Sequence, residues 1–190
     1  TMVGQKQAQR IIKDSLILVS AGSNDHLISY YDSGVRKIHF PLIDDYHEFI
    51  FSRMSSFVEG LYKYGARRMV IMGIPPLGCL PLQKALRLST GSCVDYQNED
   101  SMAFNEKLKK KLTFLEGSLP ETKIAYADIF KPLMDIVASP QSFGGINDVS
   151  RGCCGTGNVE VAYLCSKITP TCNDPNDHLF FDSVHPSEAA

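Results

Sequence analysis

Three short apolar runs constrain the fold of this chain more than any other feature: Ser15-Leu16-Ile17-Leu18-Val19-Ser20, Met69-Val70-Ile71-Met72-Gly73-Ile74 and Lys123-Ile124-Ala125-Tyr126-Ala127. Each is strand-sized and apolar at consecutive positions, the pattern of a parallel strand covered on both faces. The segments between them carry a helical period. Tyr46, Phe49, Ile50, Met54, Phe57, Val58 and Leu61 recur at three- and four-residue steps, and Gly65 supplies a stop. Phe104, Leu108, Leu112 and Leu115 form a second stripe on a segment that starts near Asp95 as a cap, and Pro120 breaks the chain before the third run. Strands that alternate with helices need crossover connections, so the fold class is α/β, a parallel sheet flanked by helices. In such sheets ligands bind beyond the carboxyl ends of the strands, which directs attention to the residues just after each run.

With 190 residues, 44% of them hydrophobic, the chain is expected to form one domain spanning residues 1–190. A net charge of -2 and a pI near 6.2 give no general attraction for nucleic acid or an anionic membrane, so no nucleic-acid partner is expected. The basic run of Lys107, Lys109, Lys110 and Lys111 lies beside the leucine stripe and is a solvated helix face. No apolar run is long enough to cross a bilayer, so no stable membrane span is expected.

Six cysteines, at 79, 93, 153, 154, 165 and 172, are many for a reducing compartment, and none has the Cys-x-x-Cys spacing of a zinc or redox site. Cys79 and Cys93 flank a local excursion, and the adjacent Cys153 and Cys154 point to different partners in Cys165 and Cys172, with connectivity open. Reduced cysteines buried as small hydrophobes are the alternative. The opening Thr1-Met2-Val3-Gly4-Gln5-Lys6 has no apolar core region of a secretory leader. Disulfides and a missing leader agree if the leader lies upstream, and a secreted protein is the expectation. Residues 139–177, rich in Gly, Cys, Asn and Pro, are expected to form a long loop held by disulfides.

Two motifs could carry chemistry. In Asp182-Ser183-Val184-His185-Pro186 a carboxylate three residues ahead of a histidine can fix the imidazole tautomer and leave the other ring nitrogen free to accept a proton. In Gly22-Ser23-Asn24-Asp25, directly after the first run, the Asn24 amide can donate to charge developing on a substrate oxygen. The bland alternative for Asn24 or Asp25 is a helix cap. A metal site drawn from His26, His39, His47, His178 and Cys153 has no familiar ligand spacing in its favour.

Together these motifs resemble the GDSL esterase/lipase family, the Ser-Gly-Asn-His hydrolases. Four further segments are similar to its plant branch: Gly73-Ile74-Pro75-Pro76-Leu77-Gly78-Cys79-Leu80-Pro81, Gly152-Cys153-Cys154-Gly155-Thr156-Gly157, Leu164-Cys165, and Leu179-Phe180-Phe181 ahead of Asp182. The resemblance implies a flavodoxin-like sheet and hydrolysis of carboxylic esters by a Ser-His-Asp triad. His185 would be the general base, Asp182 its orienting partner and Asn24 an oxyanion donor. It also implies no metal or organic cofactor, and a small-molecule, lipid or polysaccharide ester as substrate.

One departure is large: no Gly-Asp-Ser occurs anywhere in the chain, so the family's nucleophile segment is missing. The resemblance then implies a partial domain without the first strands of the sheet, which would leave residues 16–19 with an unpaired apolar edge. As written the chain is expected to be inactive. The alternative is a catalytically silent family member that binds a lipid or glycan.

Overall fold

The computed structural model describes residues 3–89 and 91–190, and the chain divides into two compact units. The first takes the residues up to Ile74 together with Ala103–Ile129, and the second takes Pro75–Met102 with Phe130–Ala190.

The first unit is the α/β part. Helix α1 (Gln5–Asp14) leads into strand β1 (Leu16–Val19); helices α2 (Val35–His39) and α3 (Ile43–Lys63) precede β2 (Arg68–Met72), and β3 is Lys123–Ala127. The three strands are parallel in the order β1-β2-β3, with Ile17 opposite Met69 and Met69 opposite Ile124. All three predicted strands are present, and the chain between them forms helices α3 and α5 (Asp95–Ser118) as the two apolar stripes require. Gly65, at φ 106°, ends the turn after α3 in a conformation that L side chains rarely adopt.

Burial explains the stripes. Phe104, Leu108, Leu112 and Leu115 of α5 are all buried; of the α3 stripe Tyr46 and Val58 are buried, joined by Phe51 from outside it, while Phe49, Ile50, Met54 and Leu61 are half-buried and Phe57 is exposed. Phe51 and Phe104 stack with ring centroids 4.7 Å apart. The lysines lie on the outer side of α5, where Lys107 reaches Asp44 at 2.9 Å and Lys111 reaches Glu48 at 3.1 Å. The expected apolar edge is also present. Among the described residues β1 pairs only with β2, and its Leu16 and Leu18 are 67% and 64% exposed. A hollow of about 530 Å³ runs beside it, lined by Ile17, Leu18, Ile50, Met54 and Phe57 among others.

The second unit has little regular structure: short helices α4 (Pro81–Leu86) and α6 (Phe130–Ala138), the first turns of α5, and a pair of strands, β4 (Asp148–Gly152) and β5 (His178–Phe180). β4 and β5 run parallel, with Asp148 opposite His178 and Gly152 opposite Phe180. This corrects the expectation of an unbroken loop over residues 139–177. β4 escapes a pattern search because Asp148, Ser150 and Arg151 are polar, and its hydrogen bonds and cross-links come from residues distant in sequence. Three disulfides join Cys79 to Cys93, Cys153 to Cys172 and Cys154 to Cys165. The adjacent cysteines thus take different partners. Among the described residues no helix is long and apolar enough to cross a membrane.

Candidate active site

Asp182 and His185 follow β5 on a turn that their own side chains shape. Asp182 Oδ1 accepts the backbone N–H groups of Val184 at 2.8 Å and His185 at 2.7 Å, while Oδ2 accepts Nδ1–H of the His185 ring at 2.8 Å. The carboxylate is 8% exposed and the imidazole 65% exposed. Such a carboxylate cannot swivel without losing two backbone hydrogen bonds, and it fixes the imidazole tautomer so that Nε2 carries the lone pair. Nε2 has no hydrogen-bond partner among the described residues, and the ring as a whole is exposed. The arrangement is an imidazole held at one nitrogen by a fixed carboxylate, on a ring that is otherwise open to solvent.

The turn rests on a floor built by the glycine and cysteine motif. Cys153 N–H donates to Phe180 O at 3.0 Å and Cys154 N–H to Phe181 O at 2.9 Å, while Phe181 N–H donates to His185 O at 2.9 Å. Gly152 must be glycine, because a Cβ there would stand 2.5 Å from the Asp182 carbonyl oxygen. Gly157 backs it: its carbonyl accepts Gly152 N–H at 2.8 Å, and a Cβ on Gly157 would collide with the Gly152 carbonyl oxygen. Two disulfides run from this floor, so the motif sets the height at which Asp182 sits. From the other side the Ser183 peptide is gripped twice, its N–H donating to Glu160 O at 2.9 Å and its C=O accepting Leu82 N–H at 2.9 Å. Ser183 itself is fully buried with its hydroxyl unpartnered among the described residues, which leaves it out of reach of a substrate.

Nearby charges are held by hydrogen bonds. Asp148 is partly buried, which would raise its pKa, yet hydrogen bonds from Ser150 and Arg151 outweigh this and lower it. Backbone hydrogen bonding at Thr156 is the largest influence holding the pKa of the half-buried Glu160 at about 2.

Asn24 belongs to the first unit. It precedes a π-helix at Asp25–Asp32, is exposed, and its side chain makes no capping hydrogen bond. The amide is therefore not spent on the helix end. Gly22, at φ 109°, makes the turn, and its carbonyl accepts His26 Nδ1–H at 2.7 Å. His26 is fully buried beside His47, with ring centroids 5.1 Å apart, and both pack against Phe104. Burial holds the pKa of each below its usual value, His47 at about 3. Cys153 is in a disulfide, and among the described residues no group of three or more His, Cys, Asp or Glu side chains could hold a metal ion.

Sequence reading missed Asn98 and Asn105. Asn105 is buried in the first unit; its Oδ1 accepts Ile74 N–H at 2.8 Å and its Nδ2 donates to Ile74 O at 2.9 Å, so the segment leaving β2 is paired as if by another strand. Asn98, in the second unit, accepts Gly78 N–H at 2.9 Å. Asn105 sits one turn before Leu108 on the buried side of the helix, which was an available signal, whereas Asn98 lies among the buried polar residues Gln97 and Ser101 and has no apolar stripe to interrupt.

A parallel sheet flanked by helices and a carboxylate-oriented imidazole define the class as an α/β protein with a hydrogen-bonded Asp–His pair. The family model described as GDSL-like Lipase/Acylhydrolase matches residues 3–190, and the chain belongs to that family. Among its relatives in Arabidopsis thaliana, GDSL esterase/lipase At2g30220 and GDSL esterase/lipase At2g30310 are each 43% identical over 191 residues, covering 100% of this chain and 53% of their own length. A third, GDSL esterase/lipase At2g24560, is 41% identical over 191 residues, 100% of this chain and 52% of its own. The chain spans about half the length of the curated relatives it matches.

Proposed function

We propose that this chain is part of a secreted carboxylic ester hydrolase acting on acyl esters through a Ser-His-Asp triad. Asp182 orients His185, and His185 Nε2 takes the proton from a serine that lies outside these 190 residues, then returns it to the leaving alcohol. The Asn24 amide donates to the oxyanion. The observation that carries this reading is the 2.8 Å bond from His185 Nδ1 to a carboxylate whose other oxygen is locked by two backbone donors. Three disulfides support an oxidising compartment. No step requires a metal or organic cofactor.

The second reading, a silent lipid- or glycan-binding module, draws on the absence of Gly-Asp-Ser from the chain. A fluorophosphonate probe decides between them. The longer product of the gene should be labelled at a Gly-Asp-Ser serine, the 190-residue chain should not, and His185→Ala should lower ester turnover of the longer product by about four orders of magnitude. A longer product that resists labelling, or turns over esters equally well without His185, removes the hydrolase reading.

A further inference from the structure

The loop from Gly155 to Cys172 departs from the general rule that large apolar side chains shelter from water. Tyr163 is 98% exposed, Ile168 93% and Leu164 60%, with Val159 at 44%. Scattered exposed hydrophobics need no explanation, but four within ten residues of one loop do. This loop is also cross-linked. The Cys153–Cys172 disulfide closes its base, and Cys154–Cys165 ties its middle back to the same floor. A short 3₁₀ turn, Ala162–Leu164, presents Tyr163, and Thr169 Oγ1 donates to Leu164 O at 2.9 Å, drawing the Ile168 end of the loop toward that turn.

We infer that this stapled loop docks the protein onto an uncharged acyl-lipid surface, with Tyr163, Leu164 and Ile168 entering the apolar phase. The inference rests on the proposed hydrolase reading and narrows its substrate class to esters presented at a lipid–water interface. Three features favour that occupant. Side chains exposed to this degree project outward and offer no groove to a peptide or helix. A phenol beside aliphatic side chains suits the boundary between acyl chains and water. The segment holds one acid, Glu160, and one base, Lys167, so it neither seeks nor avoids anionic headgroups.

The root of the loop adds the functional link. Glu160 O accepts Ser183 N–H, and the amides of Cys153 and Cys154 bind Phe180 and Phe181, so the docking residues and the segment bearing Asp182 and His185 stand on one floor. Covering Tyr163 and Ile168 with lipid would bring that segment to the surface on which ester groups lie.

The test needs no catalysis. The 190-residue chain is sedimented with phosphatidylcholine vesicles, alongside Tyr163→Ser/Ile168→Ser and Leu16→Ser/Leu18→Ser, the latter reducing a second exposed apolar surface, the edge of β1. The loop variant should lose about tenfold or more in partitioning, consistent with two large apolar side chains withheld from lipid, while the β1 variant should bind as the parent does. Because the chain contains no tryptophan, Tyr163→Trp gives a single-site probe whose emission should shift to the blue on adding vesicles. No binding by the parent, equal binding by the loop variant, loss only in the β1 variant, binding that appears only with phosphatidylserine present, or an unshifted emission would each overturn the docking. Fluorophosphonate labelling of the longer product with no vesicle binding sinks the docking alone; vesicle binding without labelling sinks the hydrolase reading alone.

Discussion

The two units reach order by opposite routes. The first uses hydrogen-bonded parallel strands and a continuous layer of aromatic and aliphatic side chains, from Tyr46 and Phe51 to Phe104 and Leu115, with none of the six cysteines. The second has two short strands and small helices, and all three disulfides lie within it. The difference shows how a segment that must hold a carboxylate and an imidazole in register can be positioned by cross-links and close glycine contacts where regular structure is sparse.

Reduction should separate the units most strongly. The cross-links close loops with sequence separations of 14, 19 and 11 residues, and each is worth about 2–4 kcal/mol. Hydrogen exchange in reductant is expected to strip amide protection from residues 148–183 while β2 and β3 keep theirs; simultaneous loss in both would erase the contrast. A smaller effect, about 1–3 kcal/mol of overpacking, is expected for Gly152→Ala. The added methyl would stand against the Asp182 carbonyl, so urea melts should show lower stability and the longer product should lose turnover along with it. Wild-type stability in this variant would mean that the floor does not set the position of Asp182.

The third expectation sharpens the comparison from the first unit's side. Burial keeps His47 neutral in the folded chain down to about pH 3, whereas its unperturbed value is 6.5. Between those values the unfolded chain binds the extra proton, so stability falls as the pH drops from 6.5 toward 3, and His47 contributes no slope above 6.5. The slope is at most about 1.4 kcal/mol per pH unit, and His26, also held low by burial, acts in the same direction. Urea midpoints measured against pH should flatten in His47→Phe. Identical slopes would place the acid sensitivity elsewhere.

What was legible in the sequence follows the same division. The parallel strands declare themselves as apolar runs, although Leu16 and Leu18 of β1 are exposed, and α3 and α5 as stripes, because burial on a helix leaves a periodic trace. β4 leaves none, since Asp148, Ser150 and Arg151 are polar and the strand depends on partners about thirty residues away. The π-helix at Asp25–Asp32 was less legible: His26, Leu27 and Tyr30 are buried at three- and four-residue spacing, but that trace covers a single turn among polar residues. Cys79 and Cys93 could be paired as a local loop, but the choice between Cys165 and Cys172 for two adjacent cysteines required the β4–β5 frame. The Asp182–His185 pair was legible because its geometry is written within four consecutive residues.

That locality reaches beyond recognition. Val184 and His185 supply the amides that aim the carboxylate at the ring of His185 itself, so the alignment within the pair is set locally even though its place in the fold is set by the floor. A displacement of the backbone beneath them would carry carboxylate and ring together and leave their mutual alignment intact.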